Sequence, residues 1–143
     1  MEVTVNLLRT IVFAIAALVA TSAYAQRQPE PIVNYENLPV TTTSGKPPSA
    51  QQVKQAIING ATARKWTVTH TADGQKIHVK LFVNNKHTVV AEIENTDTSY
   101  SIRYLNSIDM KYSVLNGVPV IHPFYNRWVR EMMDSIRIEF QKL

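Results

Sequence analysis

The polar residues best suited to binding chemistry lie close together near the C-terminus: His122, Tyr125, Asn126 and Arg127. Pro123 stands among them and favours the first turn of a helix, because its missing N–H would have no partner there. The free amides and the positive dipole at a helix start attract anions, and the Arg127 guanidinium would add a bidentate donor. The spacing therefore predicts an anion-binding site at the start of the last helix.

The same residues also have a structural interpretation. Tyr125 falls on the apolar stripe of the predicted helix, where it would be buried. Asn126 could satisfy carbonyl groups of a neighbouring loop, and Arg127 could pair with Glu131 four residues later. Both interpretations stay open on the sequence alone.

A second candidate surface lies on the strands between the two predicted helices. Successive side chains of a strand point to opposite faces of a sheet, and here one face is apolar while the other is mixed. The mixed face carries the basic residues Lys76, Lys80 and Arg103 together with Phe82 and Val90. Basic and apolar groups on a face that no helix covers are typical of a partner-binding surface.

Residues for catalysis or metal binding are present, but not in the patterns that those chemistries need. The chain has no cysteine, and its four histidines show no H-x-x-x-H or comparable spacing. No serine stands in a nucleophile elbow or a serine-x-x-lysine motif. Glu92 and Glu94 share the solvent face of one strand. We therefore expect no metal, no cofactor and no catalytic residue.

Residues 1–25 have the features of a secretory signal peptide. Arg9 and the amino terminus supply positive charge, residues 11–20 form an unbroken apolar run, and Ala23-Tyr24-Ala25 matches the cleavage pattern. Ten apolar residues are too few to cross about 30 Å of hydrocarbon, so we expect cleavage rather than an anchor. The mature chain would begin at Gln26, be exported to the periplasm or beyond the cell, and make no stable membrane insertion.

The charge of the chain narrows the class of partner. Its 143 residues carry a formal net charge of +4, which suits an acidic protein surface or another anionic ligand. Export and the lack of a dense Lys/Arg cluster argue against nucleic acid. We therefore expect an unknown envelope protein or an anionic ligand as the partner, with a charge that serves only solubility as the alternative.

The rest of the chain predicts one α+β domain. Residues 26–48 hold five of the seven prolines and are typical of a flexible arm, with docking as an added edge strand as the alternative. Residues 49–143 form the domain, in which Ser49 and Gln52 make a capping box for the first helix. Four strands and a last helix follow. The predicted order is α-β-β-β-β-α, a four-stranded antiparallel meander with N- and C-terminal helices packed on one face.

Turn chemistry predicts how the four strands pair. Asp73-Gly74 signals a two-residue hairpin. A three-residue loop over residues 84–86 keeps every apolar side chain of the next pair on one face, whereas a two-residue loop would not. A turn at Thr96-Asp97 would then set Ile93 opposite Tyr100.

The sequence allows a specific prediction for each of two helical residues, Gly60 and Trp128. Gly60 costs up to about 1 kcal/mol inside a helix, so either another backbone passes close to it or the helix ends early. Trp128 lies on the apolar stripe of the last helix. We expect it in the core, where its removal would cost about 3–5 kcal/mol.

Four short motifs run along the domain: Gly60-Ala61-x-x-Arg64-x-Trp66, His87-x-Val89-x-Ala91-x-Ile93, Tyr100-Ser101-Ile102-x-Tyr104 and Ile121-His122-x-x-Tyr125-Asn126-x-Trp128. In this order they resemble a family of small exported proteins and lipoproteins of Gram-negative bacteria, over roughly Val53 to Ile136. The family has no assigned biochemical function, so the resemblance implies a fold and an envelope location without a chemistry. This chain lacks the cysteine that carries the lipid in lipoprotein members, and it has Lys65 where a glycine often precedes the tryptophan.

Three function classes follow from these observations. The favoured hypothesis is an exported binding or interaction domain of unknown ligand in the periplasm or envelope. The alternative is an accessory or inhibitor- or immunity-type protein that acts through one protein partner. A small hydrolase comes third.

Overall fold

The structure is a computed structural model, and it describes residues 27–143. The predicted signal peptide, residues 1–25, lies outside the described residues. Within residues 27–143 there are two helices and eight strands, and all strand pairs are antiparallel, so the predicted α+β class is confirmed. The helices are α1 (Ala50–Ala63) and α2 (Phe124–Phe140). The strands are β1 (Glu30–Pro31), β2 (Tyr35–Pro39), β3 (Thr67–His70), β4 (Lys76–Val83), β5 (His87–Asn95), β6 (Ser99–Ile108), β7 (Ser113–Leu115) and β8 (Val118–Ile121).

The strands form two sheets where one four-stranded meander was expected. The larger sheet has five strands in the order β2-β6-β5-β4-β3, and the smaller has three in the order β1-β8-β7. The four expected strands are neighbours in the larger sheet, and β2 extends it beyond β6. A two-residue turn at Asn116 and Gly117 joins β7 to β8, with φ of 50° and 78°. Two positive φ angles are what a type I′ hairpin turn requires.

The segment expected as a flexible arm is held against the domain by pairing at both of its strands. Glu30 of β1 lies opposite Ile121 of β8, and Leu38 of β2 lies opposite Tyr100 of β6. Ile32 and Leu38 also pack against the core. Prolines are tolerated here because both strands lie at sheet edges, where a missing N–H breaks no ladder. The expectation of flexibility is therefore wrong for residues 30–39, and the edge-strand alternative describes β2.

The predicted pairing of β4 with β5 is confirmed residue by residue. Val83 lies opposite His87 and Ile77 opposite Ile93, so residues 84–86 form the three-residue loop. The prediction for the next pair is wrong, because Ile93 lies opposite Ile102 and not opposite Tyr100.

The turn between β5 and β6 is longer than predicted because of one side chain. Thr96 Oγ1 accepts hydrogen bonds from the Thr98 and Ser99 amides at 3.1 and 3.0 Å, and the Thr96 amide donates to Ser99 O at 2.8 Å. These bonds close a four-residue turn over residues 96–99. From Ala91 to Asn95 the register moves by two residues, so these side chains keep their faces. A bulge between Val90 and Ala91 then shifts the pairing by one more residue, which places Asn106 and Ile108 on the open face.

One core joins both helices to the inner face of the larger sheet. It includes Val53 and Ile57 from α1, Val129, Met132 and Ile136 from α2, and Ile77, Val79, Val89, Ile93 and Ile102 from the strands. The buried tryptophan is Trp66, which is 2% exposed, whereas Trp128 is only partly buried at the edge of the core. The expectation that Trp128 is a core residue is therefore wrong, and its removal should cost less than about 3–5 kcal/mol. No helix in residues 27–143 is long and apolar enough to cross a bilayer.

Gly60 is the point where the two helices come closest. A Cβ atom placed on Gly60 would lie 2.6 Å from both Cα and N of Ile136 in α2. The helix continues past this residue to Ala63, so it does not end early. Of the two explanations for this glycine, the close passage of another backbone is the right one.

Replacing Gly60 with alanine tests in solution whether the backbone of Ile136 passes as close to this residue as the structure shows. Helix propensity alone predicts a gain of about 1 kcal/mol. Because the added methyl group overlaps backbone atoms of Ile136, we expect Gly60→Ala to lower the free energy of unfolding in urea by about 1–3 kcal/mol. Thr62→Ala, at an exposed position of the same helix, should change it by less than about 0.5 kcal/mol. A stabilised Gly60→Ala variant would refute the close approach.

Candidate functional site

Asn126 lies at the start of α2 and is 1% exposed. Its Nδ2 donates to Glu30 Oε1 at 2.8 Å and to the Pro31 carbonyl at 2.9 Å. Its Oδ1 accepts from the Val33 amide at 3.1 Å. All three bonds go to the segment around β1, so this amide ties the N-terminal segment to α2 and is not accessible to a ligand.

Tyr125 is fully buried beside Asn126. Its ring meets the ring of Tyr104 edge-on, with centroids 5.4 Å apart. Burial raises the pKa of the Tyr125 hydroxyl far above its usual range. The hydroxyl has no hydrogen-bond partner among the described residues. Tyr125 is therefore a core residue that keeps a neutral, unpaired hydroxyl.

His122 and Arg127 are engaged within the chain. Nδ1 of His122 accepts from the Phe124 amide at 3.2 Å, which satisfies one amide at the start of α2. Partial burial lowers the pKa of His122, and the nearby charge of Lys111 lowers it further. Arg127 is exposed and pairs with Glu131 Oε1 at 2.9 Å. The four residues of the predicted anion site are thus not assembled into one accessible pocket.

The open face of the larger sheet carries a ladder of ion pairs at one end. Lys76 Nζ lies 2.8 Å from Glu92 and 3.7 Å from Glu94. Arg103 binds Glu94 at 2.7 Å and holds Glu36 of β2 with two bonds of 2.7 and 2.6 Å. The hydrogen bond from Lys76 lowers the pKa of Glu92, and the bonds to Glu36 and Glu94 raise the pKa of Arg103. Lys76 and Arg103 are therefore neutralised by partners inside the chain.

The other end of this face is apolar. Phe82, Thr88 and Ile108 form one row across β4, β5 and β6, and the next row includes Lys80 and Val90. Phe82 and Ile108 are among the most exposed large apolar residues of the described chain. Lys80 is also exposed, and it makes no ion pair with a described residue. Of the three predicted basic residues, only Lys80 is left for a partner.

The exposed apolar residues continue from this row along the chain into the β7–β8 hairpin. We call the following residues the apolar end: Phe82, Leu105, Ile108, Tyr112, Val114, Leu115 and Val118. Every residue from 114 to 119 is exposed, and Leu115 lies opposite Val118. Of these residues, only Phe82 was predicted from the sequence to belong to a binding surface. The sequence signal for the others is that apolar and polar residues do not alternate on either side of Asn116-Gly117, so both faces of the hairpin are apolar.

His, Asp and Glu side chains are the groups of residues 27–143 that could bind a metal ion. Within these residues, no group of three or more of them converges as a metal site would require. The described histidine side chains bond to Glu92, to the Asp109 carbonyl and to the Phe124 amide, and none bonds to a serine. The structure therefore adds no support to the hydrolase hypothesis.

Comparisons with known proteins do not assign the chain to a family. No protein-family model matches it, and neither the curated proteins nor the solved structures contain a match. The resemblance to small exported proteins stays a prediction from the motifs.

The role of Asn126 can be tested against its exposed neighbour. Asn126→Ala leaves the Val33 amide and the Pro31 carbonyl without their partner, so we expect the free energy of unfolding to fall by about 1–3 kcal/mol. Hydrogen exchange at the Val33 amide should become faster. Arg127→Ala removes only an exposed i,i+4 pair, worth about 0.3–0.5 kcal/mol. Equal effects of the two changes would contradict this role.

Removing the unpaired hydroxyl of Tyr125 provides a second test. Leaving a buried polar group unsatisfied costs about 1–3 kcal/mol, so Tyr125→Phe should leave the free energy of unfolding unchanged or raise it by up to that amount. Thermal and urea unfolding measure the change. A loss of more than about 1 kcal/mol would mean that the hydroxyl has a stabilising partner.

Proposed function

We propose that this protein is an exported, non-catalytic interaction domain of the bacterial envelope that binds a protein partner through the apolar end. The observation that carries the proposal is the β7–β8 hairpin, whose residues 114–119 are all exposed although four of them are Val, Leu or Pro. Exposed apolar groups clustered at one place are typical of interaction surfaces, whereas single ones are not.

The hairpin also offers an unpaired strand edge. Pro119 O accepts from the Ile32 amide, so the backbone of Pro119 faces β1. The backbone N–H and C=O groups of neighbouring residues in a strand point in alternate directions, so those of Val118 and Val120 point toward β7. Val114 lies opposite Pro119, and its N–H and C=O groups therefore point away from β8. Such groups pair readily with a strand of another chain.

The charges around the apolar end favour an acidic partner. Lys80, Lys86 and Lys111 are exposed near it and make no ion pair with a described residue, while Asp109 is the acidic residue close by. Basic groups around an apolar centre steer association with an acidic surface and select against basic ones. An accessory or inhibitor-type protein that acts through one partner would use the same surface.

Photo-crosslinking in living cells tests this proposal at single positions. The photoreactive amino acid p-benzoylphenylalanine replaces Leu115 in one variant and Ile138 in another. The two side chains are matched at 54% and 55% exposed, but Ile138 lies on α2, away from the hairpin. We expect a discrete protein adduct from position 115 and none from position 138.

A second pair of variants checks that the adduct depends on the surface chemistry. With the crosslinker at Phe82, Leu115→Asp/Val118→Asp should remove the adduct, and Ile138→Asp should not. Lys80→Glu should weaken the adduct. Lys76 is not replaced, because its side chain forms the ion pairs with Glu92 and Glu94. Adducts of twice the chain mass, adducts with lipid only, or equal adducts from positions 115 and 138 would each refute the proposal.

A further inference from the structure

The two tryptophans of the chain, Trp66 and Trp128, line one surface cavity of about 310 Å³. The cavity lies where α1 ends and β3 is about to begin, against the first turns of α2. Its other lining residues are Ala63, Arg64, Lys65, Leu81 and Glu131. Leu81 belongs to the core-facing side of β4, so the cavity is separate from the apolar end on the open face. Its volume falls at the lower end of the range for small-molecule sites.

The aromatic part of the cavity is held in place by its neighbours. Trp66 is 2% exposed and anchored in the core, whereas Trp128 is partly buried. The Trp128 ring packs on the Phe124 ring, with centroids 5.6 Å apart. The Arg27 guanidinium lies over the Phe124 ring, 4.8 Å from its centroid. A fixed indole offers a flat apolar surface at little entropic cost. Trp128, the partly buried tryptophan, is therefore the indole that can present a face to a ligand, with Trp66 forming the floor behind it.

The charged part of the cavity is positive. Arg64 Nε donates to Ser135 Oγ at 2.7 Å, which orients the guanidinium and leaves its terminal N–H groups without a partner among the described residues. Lys65 is exposed in the turn after α1, with φ of 65°. Glu131, the acidic residue of the lining, is already paired with Arg127. Two cations therefore face the cavity against one neutralised carboxylate.

The geometry points to a binding site for an acidic carbohydrate, a sugar ring that carries a carboxylate. The C–H face of a pyranose ring would pack flat on the partly exposed indole of Trp128. The carboxylate would bind the oriented Arg64 guanidinium in a bidentate arrangement, with Lys65 adding charge. A free phosphate would use the cations but not the indoles, and a fatty acid would need an enclosed apolar channel.

This site is additional to the proposed partner surface and does not depend on it. Phe82 and Ile108 of the apolar end lie on the open face of the larger sheet, whereas Leu81 of the cavity lies on its core-facing side, so one chain could hold an acidic glycan and a protein partner together. Loss of either activity by mutation should leave the other intact.

Tryptophan fluorescence gives a direct test, because the two tryptophans of the chain line this cavity and no other tryptophan contributes. The probe is trigalacturonic acid, with the neutral trisaccharide maltotriose as the control. The chain from Gln26 onward is used, since it contains every helix, strand and core residue described above. We expect a saturable change with trigalacturonic acid and shifts of both indole peaks in a ¹H–¹⁵N NMR spectrum. Maltotriose at the same concentrations should give neither.

Charge-matched variants then separate the site from general electrostatic attraction. Arg64→Gln/Lys65→Gln should weaken the affinity about tenfold or more, while leaving the crosslink from position 115 unchanged. Lys46→Gln/Lys142→Gln removes the same charge at exposed positions elsewhere and should leave the affinity unchanged. Arg64→Lys keeps the charge without the planar fork and should give an intermediate loss, which preserves the test if the double variant does not fold. No saturable change, an equal response to maltotriose, or equal loss in the Lys46/Lys142 variant would overturn the assignment.

Discussion

The contact between α1 and α2 at Gly60 determines how the rest of the structure is arranged. Because Gly60 has no side chain, the backbone of α2 can approach it at Ile136, and the two helices form one layer. That layer closes the core over the inner face of the larger sheet. The residues of β4 that point away from this core, such as Lys80 and Phe82, are exposed. The proposed partner surface begins at these residues.

Asn126 has a comparable effect on the N-terminal segment. Its three hydrogen bonds hold residues 30–33 at the start of α2, and the next residues continue into β2 beside β6. That pairing brings Glu36 to Arg103 and completes the ion-pair ladder on the open face. A buried side-chain amide thus helps to hold the strand that carries Glu36, the partner that Arg103 has in addition to Glu94.

The two recognition activities that we propose rest on the resulting division of the surface. Charges at one end of the open face compensate each other, while the apolar end and the hairpin stay exposed with unpaired lysines nearby. On the other side, the end of α1 places two cations beside two indoles. Among the motif residues, Gly60, Tyr100 and Tyr125 are explained by packing, Arg64 and Trp128 lie at the cavity, and Trp66 belongs both to the core and to the cavity wall.

The sequence by itself determined the features that depend on local chemistry and on the two-residue period of strands. The capping box of Ser49 and Gln52, the α+β class and the β4–β5 register belong here, because each rests on neighbouring residues. Tertiary structure alone decided the roles of Asn126 and Arg103, whose partners lie 93–96 and 67 residues away along the chain. It also decided the cavity, which brings Arg64, just after the end of α1, beside Trp128 of α2. Such contacts follow from how the elements pack, and no local pattern encodes which distant group a polar side chain will meet.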